Sequence, residues 1–169
     1  MRYRIDVLTD SVREAVRHAG GLMFDRRRAG WQVVVVTDDV IDTRALDILG
    51  ACVESPGDAD PRLRTPDRED RTVLTARGDV TAERGLGQLV GRCGRLLVWG
   101  EVEDASTGVV HRVRHTLSPA AQRFKAQALF STGLPTSVQG CEDFWADRTV
   151  DGGCLFDLAV VEREPVVGR

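Results

Sequence analysis

Residues 30–39 read Gly30-Trp31-Gln32-Val33-Val34-Val35-Val36-Thr37-Asp38-Asp39, and the four consecutive valines decide the fold. β-branched side chains suit the pleated surface of a strand and lose conformational freedom in a helix. The run does not alternate apolar with polar residues, which is the character of strands buried on both faces. The stretch therefore predicts a strand inside a parallel sheet that helices cover.

Helical patterns lie on both sides of this strand. Ser11 followed by Glu14 has the spacing of a capping box, and apolar residues at helical intervals continue towards Ala29. Thr43 to Leu49 predicts a second helix, after which Gly50 precedes a short apolar run. The alternation of strand and helix predicts an α/β fold, a three-layer Rossmann-like and mostly parallel sheet. An internal Gly20-Gly21 predicts that the first helix breaks there or has a very close neighbour.

The second half of the chain contributes further elements. Residues 95–102 and 109–117 are both apolar and β-branched, and they are predicted to pair as an added antiparallel hairpin. Ser118-Pro119 predicts the start of a helix that continues to Ser131 or Thr132. A segment rich in proline and charge predicts a mobile loop at 54–71, and 133–153 is predicted to be irregular.

Length and composition limit the class of protein. The 169 residues, with 42% hydrophobic and 29% charged residues, predict one α/β domain over residues 1–169. A net charge of −3 makes nucleic acid an improbable partner, and no apolar run has transmembrane length. Of 23 basic residues, Lys125 alone is lysine, which indicates the codon usage of a GC-rich bacterial genome. The four cysteines form no CxxC pair, as expected for reduced thiols in a cytoplasmic protein.

Three aspartates suggest a metal site. Asp10 follows the first predicted strand, and Asp38 and Asp39 follow the valine strand. If these strands are parallel neighbours, the three carboxylates lie at the edge where open α/β sheets bind ligands. Oxygen ligands suit Mg²⁺, and Thr37-Asp38-Asp39 resembles the acidic rim of receiver and PIN-like domains, although no receiver-type lysine accompanies it. The resemblance implies a Mg²⁺-dependent phosphohydrolase or nuclease.

Lys125 is the second candidate. At helical spacing it lies inside an apolar arc that includes Ala121 and Leu129. A buried ammonium requires a partner or a shifted pKa, so Lys125 must reach solvent, pair with an acid such as Glu101, or contact an anionic ligand or partner protein. Trp99 shares a strand face with Glu101 and could line the same site.

Two histidines interrupt the apolar face of the strand at 109–117. On a helix, His111 and His115 would be spaced to bind zinc. On a strand they lie about 13 Å apart at about 3.3 Å per residue, too far for one metal ion. His115 therefore stands with Lys125, Trp99 and Glu101 as a candidate ligand or partner contact.

The sequence contains no nucleophile–base pair, Walker loop or GxGxxG motif. The leading hypothesis is therefore a non-catalytic binding or protein-interaction module with a possible homodimer or protein partner. The alternatives are the Mg²⁺-dependent phosphohydrolase or nuclease and a nucleotide-binding regulatory domain, which would hold a phosphate at a helix N-terminus.

Overall fold

The computed structural model describes residues 3–57, 71–76, 95–100, 110–147 and 158–161. Within these ranges eight strands form one mixed sheet in the order β3-β2-β1-β4-β5-β7-β6-β8, which confirms the predicted fold class. In chain order the elements are β1 (Arg4–Leu8), α1 (Val12–Arg28), β2 (Gln32–Val36), α2 (Thr43–Leu49), β3 (Cys52–Glu54), β4 (Arg71–Ala76), β5 (Arg95–Trp99), β6 (Val110–Thr116), α3 (Pro119–Ser131), β7 (Cys141–Asp147) and β8 (Leu158–Val160).

The first five strands of this order are parallel. β2 lies between β1 and β3, with Ile5 opposite Val33 and Val7 opposite Val35. All four valines of β2 are buried, which confirms the strand predicted from their run. β1 has β2 on one side and β4 on the other, so the chain reverses its direction of winding at β1.

The antiparallel part of the sheet differs from the prediction. β5 and β6 do not pair as a hairpin, because β7 lies between them and is antiparallel to both. β7 occupies residues that were predicted to be irregular. Its inward side chains are Glu142, Phe144 and Ala146, and the buried carboxylate at the first of these conceals the apolar alternation that identifies a strand.

The three described helices form one layer over the sheet. They pack on one another and on the face that bears Ile5, Val7, Val33 and Val35. The opposite face is also buried and includes Asp6, which receives hydrogen bonds from the guanidinium groups of two flanking arginines, Arg4 and Arg71. Most of the loop predicted at 54–71 lies outside the described residues. None of the described helices is long and apolar enough to cross a membrane.

Helix α1 runs without a break through Gly20-Gly21, so the prediction of a close neighbour is the correct alternative. A methyl group added at Gly21 would lie 2.3 Å from Cδ2 of Leu117. One added at Gly20 would lie 3.3 Å from Cγ of Lys125. The two glycines thus allow α3 and the residue that precedes its cap to pack directly on the α1 backbone.

Candidate functional site

A cavity of about 510 Å³ lies between α1, α3 and the start of β7. One part of its wall is apolar and is formed by Leu129, Leu134 and Val138. The lining also includes five basic or acidic side chains, namely Arg17, His18, Lys125, Glu142 and Asp143. A pocket that combines an apolar wall with converging polar groups is the usual form of a small-molecule site.

The cavity lies by the carboxyl end of strand β5. Because β7 is antiparallel to β5, with Val98 opposite Trp145, residues 141–143 extend past the end of β5. His18 stacks on Trp99, the last residue of β5, with the ring centroids 6.3 Å apart. The carboxyl ends of parallel strands are where open α/β sheets bind ligands, so the cavity has the position expected of a functional site.

A buried ion pair forms one wall of the cavity. Nζ of Lys125 lies 2.6 Å from Oε1 of Glu142, and both side chains are almost fully buried. The same carboxylate accepts hydrogen bonds from the backbone N–H groups of Gly21 and Leu22, each at 2.8 Å. The predicted pairing of Lys125 with an acid is thus present, but its partner is Glu142 on β7, and Glu101 lies outside the described residues.

His18 is the titratable group that best suits proton transfer in this cavity. Its Nε2 lies 3.2 Å from Oε2 of Glu14, one helical turn earlier. Burial lowers the pKa of His18 below its usual value; the carboxylate of Glu14 opposes this shift, and the charges of Arg17 and Lys125 add to it. The ring is therefore neutral at neutral pH, and an Nε2–H that donates to Glu14 leaves Nδ1 free to accept a proton.

Asp143 lies at the rim of the cavity and is already paired. Nε and Nη2 of Arg114 lie 2.7 and 3.0 Å from its two carboxylate oxygens, and Arg112 pairs with the same carboxylate. The hydrogen bonds from Arg114 hold the pKa of Asp143 below its usual range, and the carboxylate raises the pKa of Arg114. Asp143 is thus ionised and neutralised by its neighbours.

His115 does not line the cavity, although the sequence grouped it with Lys125. It is 3% exposed, and its Nε2 lies 3.0 Å from Oδ2 of Asp25 on α1. Asp25 also accepts a 2.6 Å hydrogen bond from Oγ of Ser118, whose side chain caps α3. His111 and His115 both belong to strand β6. At the spacing of a strand they lie too far apart to bind the same metal ion.

The three candidate metal ligands follow β1 and β2, but one of them has a structural role. Oδ2 of Asp39 accepts a hydrogen bond from the N–H of Val12 at 2.9 Å, and Oδ1 accepts one from Ile41 at 3.0 Å. Asp10 and Asp38 are exposed. Over the residues that the structure describes, no three His, Cys, Asp or Glu side chains form a group that could hold a metal ion. The Mg²⁺ site, like the homodimer, stays a prediction.

No protein-family model matches the chain, and no curated protein sequence is similar to it. Solved structures do share its fold. The A40926 pseudoaglycone deacetylase superposes with a TM-score of 0.61 at 15% identity, over 89% of this chain and 100% of that one. A deacetylase bound to teicoplanin, from the teicoplanin biosynthesis pathway, gives 0.61 at 14% identity over 85% and 97% of the two chains. The zinc-inhibited form of teicoplanin deacetylase gives 0.58 at 13% identity over 95% and 100%. At such identities the likeness establishes the fold.

These comparisons correct the functional hypothesis drawn from the sequence. A non-catalytic binding module was expected, whereas the solved structures compared here are deacetylases, which are enzymes. Sequence reasoning overlooked His18 and Glu142. The signal for His18 was its spacing of four residues from Glu14, which was interpreted as part of a capping box. Ser11 does accept the N–H of Glu14 at 3.4 Å, but the side chain of Glu14 turns to His18 instead. No local pattern marked Glu142.

Proposed function

We propose that this chain is a hydrolase that removes an acyl group, such as acetyl, from the nitrogen of an amino sugar. The observation that carries the proposal is His18, a neutral histidine that a carboxylate orients on the wall of the cavity by the carboxyl end of β5. The fold shared with the A40926 pseudoaglycone deacetylase and with a deacetylase of teicoplanin biosynthesis supports the same class of reaction.

The cavity contains groups for each step of amide hydrolysis. Nδ1 of His18 accepts a proton from water as the water oxygen bonds to the amide carbon. The negative charge that develops on the carbonyl oxygen is stabilised by Lys125, a cation of the wall. The protonated ring then donates its proton to the leaving nitrogen as the C–N bond breaks, which yields the free amine and the carboxylic acid. Glu14 stabilises the charged ring during this cycle.

The test measures acetate and free amine released from N-acetylated amino sugars and from teicoplanin. General base catalysis contributes a factor of about 100 to 10,000, so His18→Gln should lower kcat by about 100-fold or more. His111→Gln is the matched control, because His111 is partly exposed on β6 and does not line the cavity. The proposal is wrong if the wild-type protein releases no acetate from any of these compounds, or if His18→Gln is as active as His111→Gln.

A further inference from the structure

We infer that the cavity binds an anionic group of its ligand, a carboxylate or a phosphate, and that Arg17 holds this group. The inference adds an anionic group to the substrate of the proposed deacetylase, and in that respect it rests on the proposed function. It rests on the way in which the carboxylates around the cavity are already paired.

Each carboxylate near Arg17 has partners of its own. Glu142 accepts hydrogen bonds from Lys125 and from two backbone N–H groups of α1. Asp143 pairs with two arginines of β6. Glu14 lies against His18. Among the residues that the structure describes, no ion pair joins Arg17 to an acid, and its side chain is exposed on the wall of the cavity. The guanidinium group is thus available to a ligand.

The charges around the cavity favour an anion. Two cations, Arg17 and Lys125, and two carboxylates, Glu142 and Asp143, line the cavity. Lys125 pairs with Glu142, and Arg112 and Arg114 pair with Asp143, so neither carboxylate of the lining depends on Arg17 for its counter-charge. The planar fork of a guanidinium group matches the two oxygens of a carboxylate or phosphate, and such charge-assisted hydrogen bonds are stronger than neutral ones.

The apolar wall limits where this anion can lie. Leu129, Leu134 and Val138 offer no hydrogen-bonding side chains, so a charged group placed against them would lose its hydration without compensation. The anion therefore belongs next to Arg17 and His18 on α1, with the less polar part of the ligand against these three apolar side chains.

Three compounds that differ in one substituent test the inference. They are N-acetylglucosamine, which is neutral, N-acetylmuramic acid, which carries a carboxylate, and N-acetylglucosamine 6-phosphate. We expect calorimetry at low ionic strength to show at least one of the two anions binding about tenfold more tightly than the neutral sugar, with the advantage falling as salt is added. The tighter of the two identifies the preferred anion.

Arg17→Gln should reduce the affinity for the preferred anion to that of the neutral sugar. The matched control is Arg123→Gln, since Arg123 is an exposed arginine of α3 that does not line the cavity. The inference is overturned if all three compounds bind equally or not at all, or if Arg17→Gln keeps the preference for the anion. Binding is measured without turnover, so the two proposals can fail separately. A protein that prefers the anion but releases no acetate refutes the deacetylase proposal alone. A protein that releases acetate but does not prefer the anion refutes this inference alone.

Discussion

Gly21 of helix α1 provides the sharpest test of the packing around the cavity. A Cβ at this position would lie 2.3 Å from Cδ2 and 2.4 Å from Cγ of Leu117. Leu117 is 3% exposed and cannot move outward, so Gly21→Ala must push helix α1 and this side chain apart by about 1 Å to restore ordinary contact. Alanine gains about 1 kcal/mol of helix propensity over glycine. Overpacking of a dense core costs about 1 to 3 kcal/mol, and this contact lies at the severe end, so we expect a net loss of about 2 kcal/mol.

Gly20→Ala is the matched comparison, because it brings the same gain in propensity without the same clash. Its Cβ would lie 3.3 Å from Cγ of Lys125, a flexible side chain that can give by a few tenths of an ångström. This variant should be as stable as the wild type or up to about 1 kcal/mol more stable. Urea unfolding followed by circular dichroism measures both free energies, and the loss at Gly21 corresponds to a melting temperature lower by about 4 to 8 °C. If Gly21→Ala is as stable as Gly20→Ala, the described contact with Leu117 is incorrect.

Two further predictions concern the ionisable groups of the cavity. Lys125→Met leaves the buried carboxylate of Glu142 without its cation and should lower the free energy of unfolding by about 3 kcal/mol. A double-mutant cycle with Glu142→Gln, followed by urea unfolding, should show a coupling above about 1 kcal/mol. Additive effects of the two substitutions would contradict the ion pair. Folding lowers the pKa of His18, so below about pH 6.5 the unfolded chain binds more protons than the folded one. The contribution of this histidine to stability is therefore complete above that pH and is lost as the pH falls through its folded-state pKa. His18→Gln should therefore flatten the decline in stability between about pH 7 and 5, and equal slopes for the two proteins would show that its pKa is not lowered.

Local patterns in the sequence predicted those parts of the fold that local physics determines. The valine run of β2, the cap at Ser118 and the face of α3 that buries Lys125 all depend on side chains within a turn or a strand of one another. β7 could not be recognised in the same way. Its first inward residue is Glu142. A buried carboxylate is tolerated there because hydrogen-bond donors on α1 and α3, which are distant in sequence, pair with it.

The candidate site, too, could be predicted only as far as local sequence patterns reach. Burial of Lys125 follows from helical spacing, but its partner does not, because the contacts of Glu142 with α1 join residues 120 and 121 positions apart. His18 lines the same cavity, and its interest comes from its burial and from its place on the cavity wall. Neither property can be read from a single helix. The close approach of α1 and α3 at Gly20-Gly21 is the link that the sequence did suggest.

The position of β7 has a consequence for how the protein is made. This strand is synthesised after β5 and β6, yet it lies between them in the sheet and pairs with both. A nascent chain that ends before Cys141 lacks the partner of both strands and the carboxylate that joins α1 to α3. Unpaired strand edges can pair with other chains, so we expect the nascent chain to be prone to aggregation until Cys141–Asp147 has been synthesised.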